Sequence, residues 1–273
     1  MEDQRVPILM YHSISTSTNP RFKRWAVSAE IFDQHLSYLS RNRYASITVT
    51  DLMKARIHSD VKLPERPVVL TFDDAYADFY ENAFPALQRH GCVATLYVPT
   101  AYVGGTCGWL QGDGEGARQM ATWSHLAEVS AGGIECGGHS HSHVQMDAIP
   151  AAIANTEIAR CKSMLEDHLG QGVFSFAYPS GWTTASVKRL VHAAGYTSAC
   201  AIKNMLNSSA DDPFELARLV VTGDMDVEGL ARLLHRAPTR IETAFRHLAR
   251  PVWRFVPRYR AHLKGYAMTA MQH

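Results

Sequence analysis

The chain has 273 residues, with 27 Lys plus Arg against 26 Asp plus Glu, so its formal charge is +1. Apolar residues make up 46% and charged residues 19%, which is ordinary for a globular chain with a sizeable core and excludes a low-complexity or strongly acidic disordered protein. The near-neutral total argues against bulk electrostatic binding to nucleic acid, and no apolar run approaches the roughly 18–20 residues of a membrane-spanning helix.

Along the chain, apolar runs alternate with helical patterns. Val6–Tyr11 reads as a strand. Ser28 caps a helix to about Asn42, with Ile31, Phe32, His35, Leu36 and Leu39 at helical spacing. Another short helix starts near Thr50. The β-branched run Pro67–Phe72 reads as a buried strand, Tyr76–His90 as a helix ending at Gly91, and Cys92–Val98 as the next strand. Gly104–Gly116 is a glycine-rich surface loop. The pattern then repeats: helix Trp123–Ala131, strand Ile134–Cys136, helix Pro150–Leu169, strand Phe174–Tyr178, helix Ala185–Ala194, and strands at Tyr196–Ile202 and Leu216–Val221. Such alternation predicts an α/β fold with a mostly parallel sheet, and in such sheets the site lies at the carboxyl ends of the strands. Five scattered cysteines (Cys92, Cys107, Cys136, Cys161, Cys200), none in a CxxC pair, read as buried small residues. With a start that lacks a secretory pattern, they lead us to expect a cytoplasmic protein.

Three polar clusters follow predicted strands: Thr71-Phe72-Asp73-Asp74, His139-Ser140-His141-Ser142-His143, and Phe176-Ala177-Tyr178-Pro179-Ser180-Gly181. Two carboxylates after a buried strand are costly to desolvate unless they have partners, although Asp74 alone could be an N-cap. On a helical turn, His139 and His143 would present both imidazoles on one face, about 6 Å apart along the axis. Imidazole and carboxylate donors with open positions suit zinc, cobalt or nickel better than calcium or magnesium.

These motifs resemble the polysaccharide deacetylase family, the NodB-homology domain of carbohydrate esterase family four. Thr71-Phe72-Asp73-Asp74 matches its first motif, Gly138-His139-Ser140-x-x-His143 its second, and Phe176-Ala177-Tyr178-Pro179-Ser180-Gly181 resembles the Phe-Ala-Tyr-Pro version of its third. The likeness runs over about residues 5–222. It implies a distorted (β/α) barrel over residues 1–222; outside the likeness, residues 223–273 read from their own composition as a helical basic and aromatic extension. It also implies one divalent cation, zinc first and cobalt or nickel next, on Asp74, His139 and His143. Asp73 would be the general base, and the Ser180 N–H the donor to the tetrahedral oxyanion. Tyr178 and Trp182 would line the sugar site. The family's late histidine motif fails here, because Arg232 stands three residues before His235. The members with a Phe-Ala-Tyr-Pro motif instead place the acid near the N-terminus, where His12 fits. Ala177 replaces the arginine that usually orients the base, and Arg218 is the candidate substitute. Ala75 replaces the usual glycine after the aspartates, which predicts that no left-handed backbone is needed there. His141 is read as supporting or exposed.

The implied reaction removes N-acetyl groups from an amino-sugar glycan or glycan precursor. The alternatives are a cytosolic amidohydrolase on formyl or cyclic amides and a catalytically silent carbohydrate-binding relative. No nucleic-acid partner is expected, and the oligomeric state is left open. Past Glu242, Arg246, Arg250, Arg254 and Arg258 recur every four residues among Phe245, Trp253, Phe255 and Tyr259. Residues 243–273 read either as an arm packed on the domain or as a peripheral contact with the inner face of an anionic membrane.

Overall fold

The structure is a computed structural model that describes residues 5–17, 19–58 and 60–236. The arm at 243–273 and its membrane contact lie outside the described residues. Eight strands form one all-parallel sheet: β1 (Ile8–Tyr11), β4 (Ala45–Ile47), β5 (Pro67–Phe72), β6 (Thr95–Val98), β7 (Glu135–Gly138), β8 (Ser175–Ala177), β9 (Ser198–Cys200) and β10 (Leu219–Val220). A second parallel pair, β2 (Ser13–Ile14) and β3 (Ala26–Val27), lies apart from it. The order is β10-β1-β5-β6-β7-β8-β9, with β4 against the first half of β5. The segment that leads into β10 bonds β9 through Leu216, while Leu219 and Val220 pair with Leu9 and Met10 of β1. One segment thus links both ends of the order, so the sheet curls into the distorted (β/α) barrel that the likeness implied.

The strands are short and apolar on both faces because helices cover the outside. All six residues of β5 are buried. The covering helices are α1 (Ala29–Arg41), α2 (Val49–Ile57), α3 (Phe84–Arg89), α4 (Trp123–Ala131), α5 (Ala151–Leu169), α6 (Ala185–Ala193) and α7 (Val227–Arg236). Side-chain caps start several of them: Ser28 Oγ accepts from Ile31 N (3.2 Å) on α1, and Thr48 and Asp51 form a reciprocal capping box on α2. Helix α7 sends Leu230 and Leu234 into the main core, so packed structure continues beyond residue 222. Among the described residues, no helix is long and apolar enough to cross a membrane.

The helix expected over Tyr76–His90 is irregular. Phe79–Ala83 winds as a π-helix before α3, and the Phe84 N–H reaches back five residues to the Phe79 carbonyl. Pro85, at the start of α3, has no N–H to continue the ordinary ladder, which favours the wider turn.

Candidate active site

The parallel strands place their carboxyl ends together, and the candidate residues follow them. His12 follows β1, Asp73 and Asp74 follow β5, His139 follows β7, and Tyr178 follows β8. The Asp73 N–H donates to Tyr11 O (3.0 Å) and the His139 N–H to Val98 O (3.1 Å), extending the ladder into the site.

Asp73 is buried. Burial raises its carboxyl pKa, but the adjacent Arg218 guanidinium and the His139 imidazole outweigh this and hold it below the usual carboxylate range. Arg218 is completely buried and grips Asp73 with both arms, Nη1 to Oδ1 at 2.6 Å and Nη2 to Oδ2 at 2.8 Å. Its Nε donates to Ala201 O (3.2 Å). Such fork-to-fork geometry orients the carboxylate and leaves each oxygen a lone pair.

Asp74, His139 and His143 converge, each offering one ligand atom, and these atoms lie within 4.8 Å of one another. The helical turn expected for the two histidines is not formed. Ser140 (φ +59°) and His143 (φ +56°) adopt left-handed backbone in a tight loop, and this geometry brings the imidazoles together. Asp74 (φ +75°) and Ala75 (φ +54°) are also left-handed, which corrects the expectation at Ala75. The turn must bend sharply to aim Asp74 back over the strand ends, and the alanine accepts the strain that a glycine would relieve.

The donor set fits a divalent cation. His139 Nδ1 lies 2.8 Å from the Ala177 carbonyl, so it carries the proton and leaves Nε2 a lone pair. Burial pushes the His139 pKa down to about 4, which keeps the imidazole neutral near pH 7. Asp74 Oδ2 accepts from the Tyr76 hydroxyl (2.6 Å). Asp74 Oδ1 is buried and makes no well-formed hydrogen bond, although His143 Nε2 stands 3.0 Å away and His139 Nε2 3.5 Å. Two imidazole nitrogens and one orphaned carboxylate oxygen within 4.8 Å of one another are a ligand set for a small cation.

The remaining candidates differ in placement. His12 is half-buried, its ring 4.6 Å from that of Trp25, and its Nδ1 is buried without a hydrogen-bond partner. Burial lowers its pKa, while Asp73 and Asp74 push it back up, so it senses both carboxylates. His235 is exposed on α7, with Nε2 3.4 Å from the Tyr38 hydroxyl. Ser180 is exposed in a tight turn with φ +63°. Trp182 is 52% exposed. Tyr178 is fully buried and its hydroxyl donates to Phe214 O (2.9 Å). It packs the barrel wall, which corrects its expected place in the sugar site. His141 supports the loop, its Nδ1 2.9 Å from Thr100 Oγ1.

Sequence reasoning missed Glu157 of α5, which accepts from Ser142 N and Ser142 Oγ, both at 2.7 Å, and so fixes the histidine loop. Its one signal was an acid in register with the buried stripe Ala154, Ile158, Cys161 and Leu165. Tyr76 and Trp109 were missed as well.

Residues 60–199 match the model of the family described as polysaccharide deacetylase. The chain belongs to the polysaccharide deacetylase family. It is therefore a hydrolase of a metal-dependent family, and the Asp74–His139–His143 group is its candidate metal site. The chain is 25% identical over 221 residues to YxkH of Bacillus subtilis (strain 168), provisionally named a polysaccharide deacetylase; the match covers 81% of this chain and 73% of that protein. It is 28% identical over 88 residues to the poly-beta-1,6-N-acetyl-D-glucosamine N-deacetylase of Staphylococcus aureus (strain MSSA476), a match covering 32% of this chain and 30% of that one. Among solved structures, the Streptococcus pyogenes deacetylase PplD in complex with acetate superposes with a TM-score of 0.73 at 24% identity, over 85% of this chain and 98% of that one, which supports the fold.

Proposed function

We propose that the protein removes N-acetyl groups from N-acetylglucosamine units of a glycan or glycan precursor, with zinc in the Asp74–His139–His143 site. The observation that carries this reading is the convergence of three ligand atoms within 4.8 Å beside a second, separately tethered carboxylate. The Staphylococcus aureus relative, named for a poly-N-acetylglucosamine substrate, supports the substrate class.

A divalent cation held there would polarise an amide carbonyl and make water a better nucleophile. Asp73, held ionised by Arg218, accepts a proton from the attacking water. The Ser180 N–H, in its exposed turn, is the donor offered to the carbonyl oxygen as charge develops, a contact typically worth about 3–4 kcal/mol of barrier. His12 delivers a proton to the departing nitrogen as the carbon–nitrogen bond breaks, giving acetate and the free amine. Burial lowers the His12 pKa on balance, and the nearby Asp73 and Asp74 carboxylates work against that lowering, towards the protonated form this step needs. Trp182 offers an exposed ring on which a sugar face can stack.

Acetate release from N-acetylglucosamine oligomers with added zinc or cobalt tests the reading. Asp73→Asn is expected to lower kcat by about 10²–10⁴-fold while zinc still binds, and Asp74→Asn or His139→Ala to weaken zinc binding itself. Wild-type turnover in Asp73→Asn would remove the mechanism.

A further inference from the structure

A column of stacked side chains runs from the glycine-rich loop onto the candidate metal ligands. The Arg118 guanidinium lies 4.0 Å from the centre of the Phe22 ring and 5.4 Å from that of Tyr76. Tyr76 faces Trp109 with ring centres 6.3 Å apart and planes 21° apart. Trp109 in turn stacks on His143 at 4.6 Å and 22°. Two members of the column touch ligands: the Tyr76 hydroxyl donates to Asp74 Oδ2, and the Trp109 indole covers one face of the His143 ring.

The outer end of the column is anchored. Arg118 pairs with Asp78 (3.1 Å) and Glu115 (2.9 Å), Asn19 Nδ2 donates to Asp113 O (2.6 Å), and Arg21 donates to Gly112 O (2.8 Å). The need for restraint lies in the backbone. Asp74 and His143 both occupy left-handed conformations, which an L residue keeps only when its surroundings impose them. His139 is held by a carbonyl on its second nitrogen, the usual device for a ligating imidazole. For His143 the indole restrains the ring, and for Asp74 the phenol selects which oxygen stays free.

We infer that Tyr76 and Trp109 are positioning residues that set the cation affinity of the Asp74–His139–His143 site, so that the loop carrying Trp109 acts as part of the metal centre. This rests on the cation-site reading above. In the full chain, zinc affinity is measured by competition with a chromophoric chelator. Trp109→Ala and Tyr76→Phe are each expected to weaken zinc about 10–100-fold, the range typical of residues that orient ligands. Trp109→Phe keeps a ring on His143 and is expected to restore affinity to within about threefold of wild type. The melting temperature of the cation-free protein separates this effect from general destabilisation. In wild type, cobalt is also expected to quench tryptophan emission more strongly than in Trp109→Phe, a readout that needs only folded protein. Zinc affinities of Trp109→Ala and Tyr76→Phe within twofold of wild type, or equal cobalt quenching, would overturn the positioning role and leave the site intact. A wild-type protein that binds no zinc would overturn both.

Discussion

Arg218 is a completely buried charge whose principal partner is Asp73, and the two groups depend on one another. Removing one half of such a pair strands the other in a low-dielectric interior, which typically costs about 3–5 kcal/mol, whereas removing both halves costs much less. Arg218→Met is therefore expected to lower stability by about that amount in urea titration, and Asp73→Asn/Arg218→Met to recover a large part of it. Arg218→Met also takes away the main cause of the depressed Asp73 pKa, so the acid limb of kcat/KM should move to higher pH. If the single and double variants unfold at the same urea concentration, the two groups are not coupled. The sequence could nominate Arg218 because Ala177 leaves the usual arginine position empty, but only the chain's return to β10 carries its guanidinium across the barrel to Asp73. Tyr178 shows the converse limit. An aromatic at a strand end can face a cleft or the wall, and a carbonyl 36 residues away, that of Phe214, decides which.

At the scale of elements, the strands were legible because a parallel sheet covered on both faces demands β-branched runs, and Pro67–Phe72 is one. The turns after the strands were not. The sign of φ at Ala75, Ser140 and His143 depends on what the following side chain must reach, and local residue type carries little of that information. Strand β7 shows how an element serves the site. Its Gly137-Gly138 end has no side chains because Tyr97 and Tyr196 fill that space: a Cβ on Gly138 would stand 2.2 Å from the Tyr196 hydroxyl. The Tyr196 ring is fully buried against Phe176, at 5.2 Å between centres, and cannot swing aside. Gly138→Ala is thus expected to cost about 1–3 kcal/mol. Because His139 is the next residue, zinc affinity should fall with it. Tyr196→Phe removes the clashing oxygen, so Gly138→Ala/Tyr196→Phe should regain part of the stability in thermal melts; no recovery would mean that the strain lies in the β7 backbone instead.

For the whole molecule, the barrel pays for its site by burying imidazoles, which disfavours their charged form. Burial lowers the pKa of His12, His35, His139 and His141, that of His139 to about 4. The unfolded chain protonates these groups near pH 6.5, and the folded chain does so only at lower pH. Between those values the unfolded state binds more protons, so stability rises with pH through this window and falls as pH drops from about 6.5 toward 4. For His139 alone the shift corresponds to about 3 kcal/mol. Asp73 and Asp74 titrate in a different window. Their folded pKa values lie below the ordinary carboxylate value, so their contribution is intact above about pH 4 and is lost only as pH falls further. Urea unfolding of the chelator-treated protein should therefore show a two-step acid profile: a first loss as pH falls from 6.5 toward about 4, to which His139 alone contributes about 3 kcal/mol, and a second below about 4 from the carboxylates. His139→Asn removes one titrating imidazole and should flatten the first step while leaving the second. A stability that stays level from pH 7 to pH 4.5 in the cation-free protein would mean that these imidazoles are not held neutral by the fold, and the lone pair required of His139 as a ligand would lose its physical basis.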